Sequence, residues 1–234
     1  MMVAQKKRHK IAVLMGGPAL FHETSLAGGL RVLSALPSRY LAIPVVVMKN
    51  RSFSIEGHPA LDESEALPLL KSMGISSIFI AMHGEYGADG TLQRLLEVQR
   101  IPYTGSSSVT SRVAIDKSWT AKVLQRAGLT VPPFIVSDLS GGAYHAAEKF
   151  GLPLVIKPVS HDLRQGVSIV RYLDEVSRAV LKAQRFEKRF IAQKFIKGEE
   201  VTCGVLHGPK RVLALPPVHV TFSATSFLDY DNNY

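Results

Sequence analysis

The stretch IFIAMHGEYGADGTLQRLLEVQRIPYT, residues 78–104, leaves the chain few ways to fold, because it runs from an apolar strand through a glycine-rich turn into a helix. Residues 78–82 are a continuous apolar run of strand length. That is the pattern of a strand covered on both faces, which occurs mostly in parallel sheets. His83 follows at the strand's carboxyl end, the edge at which ligands bind in open α/β sheets. Gly84, Gly87 and Gly90 let the backbone turn tightly there and approach a ligand. Leu92, Leu95, Leu96 and Gln99 then keep helical spacing, so a helix is predicted from Asp89 or Gly90 with its N-terminal amides aimed back at the site. The same residues also read as a glycine-rich βα turn with a hydrogen-bonded histidine, since glycines alone are a weak signal.

The flanking chain supports a sheet with helices. Residues 10–15 are predicted as a strand that turns at Gly16-Gly17-Pro18 into a helix near Glu23, with Leu26, Leu30, Leu33 and Leu36 along one face. A second strand is predicted over 40–48, a helix over 63–73 and the strand over 78–82, together a small parallel α/β domain ending near Gly105. Two helices, 106–114 and 117–127, are closed by Gly128 and followed by the extended Val131-Pro132-Pro133. Beyond them the predicted order is a strand from Pro133, helix 143–150, strand 154–157, strand 167–172, helix 174–185, strand 190–195 and strand 201–206. That order implies an α+β arrangement with an antiparallel sheet.

Charge and cysteine usage narrow the partners. A formal charge of +9 suits nucleic acid, an anionic membrane face or a phosphorylated small molecule, yet part of the excess lies in the first ten residues, MMVAQKKRHK. The aromatics are not interleaved with the charges and no nucleic-acid module is visible, which argues against nucleic acid. No apolar run is long enough to span a membrane. Lys6 to Lys10 followed by IAVLMGGPALF imitates a secretion signal, but Gly16, Gly17 and Pro18 interrupt it and no cleavage site follows. Cys203, in VTCGVL, is the single cysteine and cannot close an internal disulfide; it is read as a buried small hydrophobe in a strand. A reducing, cytoplasmic compartment fits.

Five segments then carry a resemblance. GGPALFHETSL, HGEYGADGTLQRLLEVQRIPYTGSSSVTSRVAIDK, LPLVIKP, FIKGEEVTCGVL and FLDYDNNY occur in the order and approximate spacing of the D-alanine:D-alanine ligases, members of the ATP-grasp superfamily. The second segment is the specific one, matching the family nearly position for position. The resemblance implies an N-terminal open parallel α/β domain over 10–105 followed by an incomplete ATP-grasp domain over 106–234. That second domain would hold a first subdomain over 106–188 and the start of a second over 189–234.

It also implies the chemistry. ATP would activate the carboxylate of one D-alanine as an acyl phosphate, which the amine of a second D-alanine attacks to give the dipeptide used in peptidoglycan. Glu23 matches the glutamate that holds the first ammonium, Ser25 the serine beside it, His83 the histidine near the substrate carboxylates and Tyr234 the tyrosine of the last motif. By residue chemistry alone Glu23 is also an ordinary acid in a helix's first turn, and Ser25 a helix-surface serine. Lys117 and Lys157 match the lysines that embrace the phosphates. Gln193 stands where an acid takes the adenine amino group, Lys194 reads the base edge, and Glu200 accepts from the ribose. The family is usually dimeric, so a homodimer is implied.

The chain departs from the family pattern at several places. The loop after Lys157-Pro158 is VSHDLRQG, with Leu163 in place of a serine, and Asn233 replaces a lysine. The residues that bind Mg2+, and an arginine near the transferred phosphoryl group, would lie beyond Tyr234; Glu199, Glu200, Asp229 and Asp231 do not reproduce that set. As written, the chain is therefore expected to be a poor ligase. The alternative is a noncatalytic relative that keeps nucleotide or amino-acid binding.

Overall fold

The computed structural model describes residues 8–160, 166–208 and 210–221. Leu163, Asp229, Asp231, Asn233 and Tyr234 lie outside the described residues. The chain divides into two compact units, residues 1–120 and 121–234.

The first unit is built on β1 (His9–Gly16), whose Ala12, Val13, Leu14 and Met15 are at most 2% exposed. β2 (Tyr40–Val47) runs parallel along its whole length, β3 (Phe53–Ile55) pairs antiparallel with β2, and β4 (Ser77–Ile80) runs parallel on the other side of β1. The strand order is β3-β2-β1-β4, so the predicted parallel strands are present and β3 adds an antiparallel edge to them. β4 corrects the expectation of a strand covered on both faces. It stops at Ile80, and only Ile78 within it is fully buried. Its outer edge is met by the chain returning from the next helix, where Ile78 donates to Pro102 O at 2.8 Å and Thr104 donates to Ile78 O at 2.9 Å. The apolar run belongs to a strand near the margin of the sheet, and burial there is one-sided.

α1 (His22–Ala35) links β1 to β2, but the predicted leucine stripe is only partly covered: Leu26, Leu33 and Leu36 are half-buried. His22, Ser25 and Gly29 are the buried positions, while Leu30 is 60% exposed. The reason is close approach: a Cβ on Gly29 would lie 2.5 Å from Cβ of Met15, so the helix rests nearer to β1 than leucines allow.

α2 (Glu63–Ser72) contains Pro68, which removes a helix donor, and its start is secured by a capping box. Asp62 Oδ1 accepts from Glu65 N at 3.0 Å, and Glu65 Oε2 accepts from Asp62 N at 3.2 Å. α3 (Thr91–Val98) begins after Gly90 as predicted and buries Leu92 and Leu96 in a core shared with Val45, Phe53, Leu67 and Leu70. At its end Glu97 binds the start of α4 (Ser108–Ile115), accepting from Ser108 N at 2.8 Å, Ser108 Oγ at 2.5 Å and Tyr103 Oη at 2.7 Å. The bond from the Ser108 hydroxyl, more than any other, holds the Glu97 carboxyl down at about 2. Burial, then the Glu97 carboxylate, push the Tyr103 phenol up to about 12.

α5 (Lys117–Arg126) carries the chain across the division. The second unit contains β5 (Phe134–Ser137), α6 (Ser140–Phe150), β6 (Leu154–Pro158), β7 (Ser168–Val170), α7 (Val176–Gln184) and β8 (Phe190–Lys194). Their sheet has the order β5-β8-β6-β7 and every pairing is antiparallel, as the element order implies. Leu154, Ile156, Phe190 and Ala192 pack with the alanines and valines of α6 and α7. Strand alternation puts Val155, Lys157, Ile191 and Gln193 on the opposite face.

The predicted strand over 201–206 is two strands in two different sheets. β9 (Glu200–Thr202) pairs with β12 (Val218–Val220), whereas β10 (Val205–His207) pairs with β11 (Val212–Ala214). Glycine weakens a strand interior, and here Gly204 O turns to accept from Leu215 N at 2.8 Å. Cys203, predicted to be buried, is exposed at this break, with Sγ 3.0 Å from Leu215 O. Among the described residues no helix is long and apolar enough to cross a membrane.

Two outcomes follow from this packing. Gly29→Val should lower stability by about 1–3 kcal/mol through overpacking against Met15, measured as a shift of the urea midpoint; an unchanged midpoint would contradict the close approach. Because the Glu97 carboxyl is depressed in the folded chain, its contribution is full above its ordinary value of 4.5 and is lost as pH falls from there toward about 2. Glu97→Gln should therefore flatten the stability profile across that window, and a profile parallel to the parent's would show that the clamp contributes nothing.

Candidate functional site

Parallel pairing makes β1 and β4 end at the same edge of the first sheet, so the segments leaving them lie side by side. After β1 the backbone turns at Gly16, in the left-handed region at φ 83°, where a Cβ would sit 2.5 Å from Val47 O. The turn is closed by Gly17 N donating to Val47 O at 2.7 Å and by buried His22, whose Nδ1 lies 2.7 Å from Gly17 O. Glu23 is exposed one residue further, in the first turn of α1, where a carboxylate is favoured by the helix dipole.

Ser25 and His83 are brought together. The Ser25 hydroxyl is fully buried, which corrects its reading as a surface serine, and it accepts the His83 backbone N–H at 3.0 Å. The His83 ring is exposed and stands edge-on to Phe21, with centroids 6.4 Å apart. Gly84, at φ 73°, passes close to α1's entry; a Cβ there would lie 3.0 Å from Ala19 Cβ and 3.1 Å from Phe21 Cδ2. The histidine is thus presented to solvent on a backbone that cannot retreat.

The remainder of the loop is held by residues that carry no periodic mark in the sequence. Tyr86 is fully buried and left-handed at φ 72°, a conformation that costs a non-glycine residue about 1–2 kcal/mol. Its hydroxyl donates to Glu63 Oε2 at 2.9 Å, and its N–H donates to Asp89 Oδ2 at 3.0 Å. Burial above all, and then the Glu63 bond, push its phenol upward. Arg51 lies over the Tyr86 ring at 5.6 Å and forms an ion pair with Glu85 at 2.9 Å. From α3, Gln93 Nε2 donates to Gly87 O at 2.7 Å.

In the second unit, Lys157 and Gln193 share the sheet face away from the helices, and Lys157 Nζ donates to Gln193 Oε1 at 3.0 Å. The Gln193 oxygen assigned to the adenine is therefore engaged by Lys157. Lys194 follows on the other side of β8 and is exposed; its backbone N–H donates to Pro133 O at 3.0 Å. Glu200 is half-buried in β9 opposite Val220. Downstream of Lys157, Ser160 N donates to Glu187 Oε2 at 2.5 Å. In the first unit, Lys117 is half-buried as the first residue of α5, where Asp116 Oδ1 accepts from Ser118 N and Trp119 N, both at 2.9 Å.

A mainly parallel sheet is followed in the chain by an antiparallel sheet packed against helices. Solved structures share this arrangement. The D-Ala:D-Ser ligase VanG of Enterococcus faecalis superposes with a TM-score of 0.81 at 23% identity, over 97% of this chain and 74% of that one. The D-alanine–D-alanine ligase of Coxiella burnetii does so with a TM-score of 0.77 at 24% identity, over 91% of this chain and 71% of that one.

Sequence comparison is more specific. The profile described as D-ala D-ala ligase N-terminus matches residues 61–106, and that described as D-ala D-ala ligase C-terminus matches residues 123–234. A D-alanine–D-alanine ligase of Laribacter hongkongensis is 37% identical over 96% of this chain and 67% of its own length. One from Ralstonia pickettii is 33% identical over 98% of this chain, and one from Geobacter sulfurreducens is 40% identical over 86%. The chain belongs to the D-alanine–D-alanine ligase family. It spans about 65% of the length of the Ralstonia relative.

Ser25→Ala should release the His83 amide, lowering stability by about 1 kcal/mol, the net contribution of one hydrogen bond, and speeding amide exchange at His83. Unchanged exchange at that position would show that Ser25 does not hold the loop.

Proposed function

We infer that this chain is an ATP-dependent carboxylate–amine ligase that joins two D-alanine molecules. The observation that carries the reading is the Ser25–His83 hydrogen bond, which ties together two residues that match the family's substrate-side motifs. In this reading the Glu23 carboxylate receives the ammonium of the first D-alanine. Ser25 holds the His83 backbone, and the His83 imidazole stands beside the substrate carboxylates. Bound ATP supplies the phosphoryl group that activates the first carboxylate.

The second unit's residues suit a nucleotide. Lys157 offers a half-buried ammonium at the end of an apolar strand, where an anionic partner offsets the cost of burying the charge. Gln193 orients that ammonium through its amide oxygen. The β8 main chain and Lys194 meet the base, and Glu200 accepts from the ribose hydroxyls. For magnesium, the described residues hold no group of three or more His, Cys, Asp or Glu side chains able to take a metal ion, so no step is assigned to one here.

The direct assay is phosphate release from ATP by this chain with and without D-alanine. Release that D-alanine stimulates is expected; release indifferent to D-alanine would overturn the reading. Lys157→Ala should weaken ADP binding by about 1–3 kcal/mol in calorimetry through loss of a charge-assisted contact, and an unchanged affinity would remove Lys157 from the site.

A further inference from the structure

Besides the Gln93 bond to Gly87 O, the His83 loop is fastened on two sides, only one of which involves a residue assigned to substrate. On one side Ser25 accepts the His83 N–H. On the other, Glu85 and Tyr86 are tied to the turn after β2 and to the start of α2: Arg51 Nη2 meets Glu85 Oε1 at 2.9 Å, and the Tyr86 hydroxyl donates to Glu63 Oε2 at 2.9 Å. The Arg51–Glu85 pair is solvent-exposed on both partners, where ion pairs contribute little. The Tyr86–Glu63 bond joins a fully buried ring to the first residue of α2.

Filling space accounts for the ring and not for the hydroxyl, since phenylalanine has nearly the same volume and needs no buried acceptor. The backbone points the same way. Tyr86 adopts φ 72°, so the chain takes up a strained conformation at the one loop residue whose side chain reaches Glu63.

We propose that Tyr86 is a positioning residue whose hydroxyl, bonded to Glu63, sets the path of residues 83–87 and with it the place of the His83 imidazole at the carboxyl edge of the sheet. Ser25 holds the loop where it starts, and Tyr86 holds it three residues on. For its effect on substrate, this inference rests on the assignment of His83 to the D-alanine side.

The test uses the full chain and the variants Tyr86→Phe, Glu63→Ala and Glu63→Gln. His83 ring resonances, identified with His83→Asn, are followed by NMR during titration with D-alanine, alongside thermal unfolding. Tyr86→Phe should move the His83 resonances and weaken D-alanine binding about 2- to 10-fold, the effect of one lost hydrogen bond. Glu63→Ala should do the same, whereas Glu63→Gln keeps an acceptor oxygen and should stay near the parent. A lowered melting temperature with unmoved His83 resonances and unchanged D-alanine binding in Tyr86→Phe would make the bond a purely structural one and overturn the proposal. If the parent itself shows no response to D-alanine, the proposed function fails, and the His83 resonances still decide whether Tyr86 places the loop.

Discussion

The whole setting of His83 depends on β1 and β4 running parallel and ending together. Parallel strands cannot be joined by a tight hairpin, so each must leave the same edge through a connection of its own. Here those connections are the Gly16–Gly17 turn into α1 and the loop that carries His83. Once the two lie side by side, a buried hydroxyl on one can accept a backbone amide from the other, as Ser25 does for His83. A serine is suited to this position because leucine or valine there would leave the amide unpaired, and an unpaired buried donor costs more than one hydrogen bond returns. The imidazole is left exposed while its backbone is held.

The second unit reaches a comparable result by strand alternation. One face of β6 and β8 disappears under α6 and α7, which forces Lys157 and Gln193 onto the other. A glutamine beside the lysine accepts one hydrogen bond from its ammonium at 3.0 Å. The observed amide thus meets Lys157 through a neutral oxygen, where a carboxylate would place a full negative charge.

Three of the predicted features that the fold altered show the physical reason. The leucines of α1 follow helical spacing faithfully, yet Gly29 brings the helix so close to Met15 that the small residues form the contact and Leu30 stays in solvent. The run 78–82 has the composition of a central strand, but strand order places it at the margin, where composition has no way to register its neighbours. The run 201–206 has strand propensity throughout, and Gly204 splits it between two partners far along the chain. Periodicity reports which residues prefer burial, not which surface buries them.

By itself the sequence determined the order of the main elements apart from β3 and the strands after β8, the parallel and antiparallel characters of the two four-stranded sheets, and the membership of Glu23, Ser25, His83, Lys157 and Gln193 in segments that leave or line those sheets. These depend on local spacing, turn chemistry and motif, all of which are written along the chain. Only the tertiary structure decided that Ser25 faces inward to His83, that Gln193 meets Lys157, and that Arg51, Glu63 and Tyr86 converge behind the histidine. Tyr86 and Arg51 both occupy left-handed backbone that their residue types disfavour, and local propensity points away from such a conformation. At Tyr86 it goes with a bond to Glu63, a partner distant along the chain, whereas at Arg51 it closes a local turn in which Arg51 N donates to Met48 O at 2.9 Å.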